Sequence, residues 1–428
     1  MTGKRNLLAI VDSNPFPATD GKSYPIEGQL KGLAQWWNID ILEVRKRDAK
    51  HGFESKTHHE IARDVIQIDA PIAAGKTQKL AGEIFTGKPY FLSPCADSSV
   101  IANAMGQRAY DAVYVSPLGL ADWATAVADC LPNRPKLVLN QNDSITERFR
   151  RDFDLFKLRV LSWKNSTKHL LQSLRANYMA RIERRVYSNF DLILVQTPRD
   201  RDAIIDDVGG DIAGKLLLAP NGIKESLLSL QYNQHAARRL LHIGGLSRNR
   251  RDLVFWFLKK VFLPVQEKLP GMTIQLAGSM SAADRQLLQQ LPGVEPLGFV
   301  DDVRDVLSQA TMSIAPLFMR SGLVNKLLDS MAAGVPSSGT RAFNGFPGFE
   351  NGVHGFDVDN AQQWQSVLLE TLQDPELLTR VSVAGRKLAS ENLRWETTVQ
   401  QLNNRLSEMV DDVPATSARL SHDESLVA

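Results

Sequence analysis

The chain is poor in cysteine, has no long apolar run and carries almost no excess of either charge. Two cysteines in 428 residues, Cys95 and Cys130, are too few for a disulfide scaffold or a metal cluster, and they fit a reducing compartment. No stretch of about 18 apolar residues occurs, so no segment is expected to cross a membrane as a helix. Lys4 and Arg5 precede the apolar Leu7 to Val11, but that stretch is too short for a signal-peptide core and reads as a first strand. A cytoplasmic protein is expected. Lys and Arg number 50 against 48 Asp and Glu, a formal net charge of +2. Anionic partners must then be sought in local patches, and no nucleic acid is expected.

Three signatures are missing as well. The loop after the first strand holds a single glycine, Gly21, and no G-x-G-x-x-G of a dinucleotide site. The run AAGKT at 73–77 has Ala70 where a P-loop needs its first glycine. His51, His58 and His59 lack the Cys or carboxylate spacing of a structural zinc site, and 45–64 reads as a solvated loop and helix start.

What is present is an alternation of strands and helices in a chain long enough for two cores. In the first half, NLLAIVD, IDILEV, YDAVYVS, KLVLN, DLILVQT and KLLLAPNG read as strands. In the second half RRLLHIGG, TIQLAGS, VEPLGFV and Ser313 to Leu317 do so. No two strands are joined as a hairpin, which predicts a parallel sheet in each half. The glycine-rich segment after Gly339, with Phe346, Glu350 and His354, reads either as a loop closing over a ligand or as a plain connection.

The second half is organised around Ser313 to Thr340, SIAPLFMRSGLVNKLLDSMAAGVPSSGT. An apolar strand leads into Arg320-Ser321-Gly322 and then a helix that Gly334 and Pro336 end. Unpartnered N–H groups of such a loop and first turn, together with the helix dipole, attract anions, phosphate most often. Lys326 and Asp329 lie three apart on one helical face. They suit a phosphate beside a polyol such as ribose, or equally a solvated ion pair. A second loop of this kind follows RRLLHIGG, where Gly244 and Gly245 precede Arg248, Arg250 and Arg251 and then a helix. Arginine forks suit phosphate, although a basic loop capped by Asp252 is the plain alternative.

Gln141-Asn142-Asp143 follow the strand KLVLN, at the carboxyl end where ligand-contacting side chains collect in open α/β sheets. Asp143 or Ser144 also suits an N-cap there. From Arg148 to Arg185, 11 basic residues stand against 3 acidic ones, interleaved with aromatics. Such a stretch lies readily on an anionic membrane surface, or covers a sheet with its Lys and Arg stems packed flat.

Gly322, Lys326, Asp329, Met331, Ala332, Gly334 and Pro336 match the donor-binding pattern G-x-x-x-K-x-x-E-A-M-A-x-G-x-P-V of family 4 glycosyltransferases. The chain resembles that family and its bacterial group 1 sugar transferases. Pro220-Asn221-Gly222-Ile223 resembles the segment that ends the family's first domain, and Gly298 its G-x-v-x-D turn. The resemblance implies an α/β GT-B fold: two doubly wound parallel-sheet, Rossmann-like domains facing across a cleft. Residues 1–222 would be the acceptor-binding domain, 236–394 the donor-binding domain, and 395–412 a helix crossing back to the first. The tail 413–428 is polar and expected to be disordered.

The implied activity is retaining transfer of a sugar from a nucleotide-sugar donor to a glycan or lipid-linked acceptor, in cell-surface polysaccharide or glycolipid synthesis. No metal or other cofactor is expected, since fixed cations can stabilise the departing diphosphate and no Asp-x-Asp is read at a strand end. Arg248, Arg251 and Lys326 would be the catalytic cations. Gly21, Gly244, Gly245, Ser321, Gly322, Leu323 and Asp329 would line the donor, and Asn142 and Asp143 are acceptor-side candidates. Two departures stand out: the family's paired glutamates fall on Ser321, which has no carboxylate, and on Asp329, which reaches less far. The basic stretch 148–185 adds an anionic membrane surface as a candidate partner, with the protein peripheral on the inner face. Rival readings are a nucleotide-sugar epimerase of the same fold, a noncatalytic nucleotide-sugar-binding relative, and a membrane-docked scaffold.

Overall fold

The computed structural model describes residues 3–18, 21–45, 60–71, 93–157, 176–232, 238–247, 249–318, 322–343 and 345–412. Outside them lie Arg248, Ser321, the three clustered histidines, the AAGKT run, the middle of the basic stretch (158–175) and the tail from 413. The first domain holds β1 (Arg5–Val11), β2 (Trp37–Arg45), β3 (Ala62–Asp69), β4 (Ala112–Val115), β5 (Lys136–Asn142), β6 (Leu192–Val195) and β7 (Leu216–Leu218). They pair in the order 3-2-1-4-5-6-7, every pair parallel. The second domain holds β8 (Arg239–Ile243), β9 (Thr273–Ala277), β10 (Val294–Gly298), β11 (Met312–Ala315), β12 (Ser337–Thr340) and β13 (Phe356–Val358). Their order is 10-9-8-11-12-13, again all parallel. In each sheet the order reverses once, between β1 and β4 and between β8 and β11. The crevice at the carboxyl ends there is where such sheets bind ligands.

Helices cover both sheet faces, which is why β4 and β6 are apolar and buried throughout. The first domain contributes α1 (Ser23–Leu33), α2 (Ser98–Met105), α3 (Ala121–Cys130), α4 (Ile145–Lys157), α5 (Ala176–Tyr187) and α6 (Pro198–Val208). In the second, α7 (Asn249–Phe257) runs through a π turn (Leu258–Phe262) into a last helical piece, Leu263–Lys268. Pro264 lacks the N–H that would bond the Lys260 carbonyl, and Gln365 donates to that carbonyl instead, at 2.8 Å. Then come α8 (Ala282–Gln289), α9 (Val303–Leu307), α10 (Asn325–Ala332), α11 (Ala361–Thr371), α12 (Pro375–Asn392) and α13 (Trp395–Asp411).

The last helix, α13, returns to the first domain and lies against α1. Its approach depends on two glycines. A Cβ on Gly28 would come within 2.4 Å of the Trp395 ring, and one on Gly32 within 2.5 Å of Val399.

Two expectations are corrected. The segment read as loop and helix start runs into strand β3, and the glycine-rich segment contains strand β13. Both are edge strands, paired on one side only. The half-exposed ARDVIQID and the three-residue FDV therefore lack the apolar runs that reveal central strands.

Candidate functional site

At the carboxyl end of β8 the chain turns through Gly244, whose φ is +146°. A Cβ there would lie 2.8 Å from Lys326 Nζ and 3.6 Å from His242 Nε2. The absence of a side chain lets the α10 lysine reach the β8 turn, joining the two anion-type loops read from the sequence. Gly278 supports the turn from β9, since a Cβ on it would meet the Gly244 carbonyl carbon at 2.4 Å.

Lys326 is mostly buried and has no carboxylate partner among the described residues. Burial, with the charge of Arg250 added, pushes its ammonium down to about 7. His242 is buried, with Nδ1 3.2 Å from the Ile314 carbonyl, and burial beside Lys326 holds it well below its ordinary range, as a neutral ring. A desolvated cation with no counter-charge, above a glycine turn, is a place prepared for an anion.

Asp329 is one turn further along α10. It does not pair with Lys326; its partner is Lys224 of the interdomain linker, at 3.3 Å. Burial raises the Asp329 carboxyl and Lys224 lowers it. Lys224 Nζ also lies 5.5 Å from the ring centroid of Tyr24 on α1. Gly21 faces the same helix end, since a Cβ on it would be 3.8 Å from Asn325 Nδ2.

The start of α10 is held from the opposite domain. Gly322, at φ +74°, donates its N–H to both oxygens of Asp200 at 3.0 and 3.2 Å, and Leu323 donates to Gln196 Oε1 at 3.1 Å. Gln196 in turn donates to Asn142 and Asn221, and Asn221 to Asn325 at 2.7 Å. Asn142 thus belongs to an interdomain amide chain. Asp143, paired with Arg148, lies beside Gly322, 3.3 Å from where a Cβ would stand. This strand-end loop is fixed by Glu183 of α5, which accepts from Ile145 N, the Thr146 hydroxyl and Tyr187 at 2.7, 2.6 and 3.0 Å. Ser144, not Asp143, caps α4 by accepting from Glu147 N.

Of the three arginines after Gly245, Arg248 is outside the described residues. Arg251 is turned away from the crevice, bound to Asp284 at 2.6 Å and lying 4.6 Å from the Phe255 ring centroid. Of the two described, Arg250, absent from the catalytic candidates drawn from the sequence, is the arginine whose charge reaches Lys326 and His242. Its guanidinium is exposed and pairs with no described carboxylate.

Residues 237–374 match the family model described as Glycosyl transferases group 1. That match spans about a third of the chain and falls on the second domain. No protein of curated function matches by sequence. Among solved structures, HepE of Anabaena with UDP-glucose is similar over 94% of this chain and 100% of its own, at 16% identity and a TM-score of 0.61. Sucrose-phosphate synthase of Thermosynechococcus elongatus is similar over 95% and 100%, at 16% identity and a TM-score of 0.68. TarM of S. aureus is similar over 95% and 99%, at 11% identity and a TM-score of 0.64. The fold is GT-B.

Elsewhere in the second domain, the strand β13 puts an Asp-x-Asp at a strand end after all, Asp357-Val358-Asp359. Both carboxylates are engaged: Asp357 accepts from Ala342 N at 2.7 Å and Asp359 pairs with Arg341 at 2.7 Å. Phe346 is in the core, and Glu350 donates its N–H to His354 Nδ1, so that loop closes on itself. Among the described residues no group of three His, Cys, Asp or Glu side chains is placed to hold a metal ion, and no helix is long and apolar enough to cross a membrane. A groove of about 730 Å³ between α1, the linker and α13 is lined by Tyr24 and Lys224, together with Gly28, Gly32, Trp395 and Val399 of the α1–α13 contact.

Proposed function

We propose that the protein transfers a sugar with retention, and without a metal, from a nucleotide-sugar donor to a glycan or lipid-linked acceptor in cell-surface polysaccharide or glycolipid synthesis. The observation that carries this reading is Lys326, a mostly buried ammonium beside the Gly244 turn with no carboxylate partner among the described residues. A donor diphosphate supplies the missing charge and raises the depressed lysine again, so binding and protonation favour each other. As the bond to the sugar breaks, negative charge grows on the diphosphate. Lys326 and Arg250 then bind it more strongly than in the ground state, which raises the rate and not only the affinity. Asp329 is the carboxylate suited to ribose hydroxyls, and on nucleotide entry it would exchange Lys224 for them.

HepE holds UDP or UDP-glucose and TarM holds UDP in their solved complexes, so uridine diphosphates are the first ligands to try. A thermal-shift panel of nucleoside diphosphates tests the reading, because a ligand of the folded state stabilises it by mass action. The parent should rise with at least one, and Lys326→Ala with none; equal shifts in both would reject the assignment. Turnover of donor without acceptor would favour an epimerase instead.

Location at the inner membrane face is part of the proposal, with a cytoplasmic protein touching anionic lipid through the basic stretch. Arg148 and Arg150 are committed to Asp143, Glu147 and Asp207, whereas Arg181 and Arg185 on α5 are exposed. Co-sedimentation with anionic but not neutral vesicles, lost in high salt, is the expected pattern.

A further inference from the structure

The amides that the sequence assigns to the donor are not open in this structure. Gly322 N–H is held by both oxygens of Asp200 and Leu323 N–H by Gln196, all from the first domain. Asp200 has no solvent exposure and also accepts from the Thr197 hydroxyl at 2.5 Å. A carboxylate and a phosphate oxygen ask the same of a loop amide: a short, charge-assisted acceptor contact. We infer that Asp200 occupies the donor's anion cradle in the donor-free molecule and sets donor affinity by competing for the Gly322 and Leu323 amides. This rests on the donor-site reading above.

Electrostatics point the same way. Asp143 stands beside Gly322 as well, so an arriving diphosphate meets two carboxylates of the first domain next to the cradle. Like charges at contact cannot all stay ionised and in place. Burial, with Asp143 adding to it, already pushes the Asp200 carboxyl up to about 7, against the lowering by Thr197 and by the N–H groups of Gly322 and Ser144. The contact is therefore held at a cost that a diphosphate on Lys326 can tip. Donor entry moves the α10 loop off α6, while Lys326 and the Gly244 turn keep the anion in the second domain.

The test uses the full chain and inorganic pyrophosphate, which has neither base nor sugar, titrated calorimetrically into the parent, Asp200→Asn, Gln196→Ala and Lys326→Ala. Asn at 200 keeps an acceptor oxygen for Gly322 but loses the charge. Competition predicts that Asp200→Asn binds pyrophosphate about tenfold more tightly than the parent, roughly the difference between a charged and a neutral acceptor. Gln196→Ala, which frees only the Leu323 amide, should tighten binding less, and Lys326→Ala should abolish it. Slower hydrogen exchange at Gly322 and Leu323 in Asp200→Asn once pyrophosphate is added would place the anion on those amides. Equal or weaker binding by Asp200→Asn, with Lys326→Ala still inactive in binding, overturns the inference and leaves the donor site standing. Should Asp200→Asn fail to fold, Gln196→Ala decides by the same criterion. Absence of binding in the parent and in every variant overturns both readings.

Discussion

Lys326→Met removes a charge while keeping most of the side chain's length and apolar contact. The folded protein holds this ammonium near 7 against 10.5 for an ordinary lysine. At about 1.36 kcal/mol per unit, and discounted for the side chain's partial exposure, the donor-free fold carries it at a cost of about 2–4 kcal/mol. Between these two values the unfolded chain binds more protons than the folded one, so the parent gains stability as pH rises. Below about 7 the cost is fully present, and above about 10.5 it is gone. Urea unfolding across that range should show Lys326→Met more stable than the parent by about 2–4 kcal/mol at pH 6, with the two curves converging toward pH 10.5. Pyrophosphate should stabilise the parent alone. Near pH 7, where half the lysines are neutral, binding should take up about half a proton, read from calorimetry in buffers of different ionisation enthalpy. Parallel pH profiles for the two proteins would refute the desolvated, unpaired cation on which the proposed chemistry rests.

Arg250→Ala should weaken diphosphate binding by about tenfold or more with little effect on unfolding, because its guanidinium is exposed. Arg251→Ala should do the reverse, losing about 1 kcal/mol of stability through Asp284 while the folded protein binds diphosphate normally. Asp329→Asn should weaken nucleoside diphosphates but not pyrophosphate, in a side-by-side titration; equal loss would make Asp329 merely the partner of Lys224. Glu183→Leu leaves the buried Ile145 N–H and the Thr146 and Tyr187 hydroxyls without an acceptor, and should lower unfolding stability by about 3 kcal/mol or more.

The sequence by itself determined the parallel α/β class of both halves, ten of the thirteen strands and the outline of the segment from Ser313 to Thr340. Runs such as LLAIV in β1 and LILV in β6 are apolar at every position because parallel strands are buried on both faces, so their pattern survives without tertiary information. Gly334 and Pro336 end α10 for reasons local to the backbone. The edge strands β3 and β13 carried no such run and were missed, as was the buried central strand β12, whose residues SSGT are small and polar. Choosing among the arginines needed the helix start: α7 begins at Asn249, and neighbours on a helix differ by about 100°. That rotation sends Arg251 to Asp284 and Phe255, while the charge of Arg250 reaches Lys326.

Only the tertiary structure decided how the charges are partnered. Spacing put Lys326 and Asp329 on one face, and a local ion pair was an open alternative. The fold instead gives Asp329 to Lys224, 105 residues away, and leaves Lys326 with no carboxylate among the described residues. Asp200 and Gln196 reach the Gly322 and Leu323 amides across 122 and 127 residues. Helical periodicity reports which residues share a face, but not what stands opposite. Whether a charge is paired or a loop amide is free depends on groups brought together by the docking of two domains.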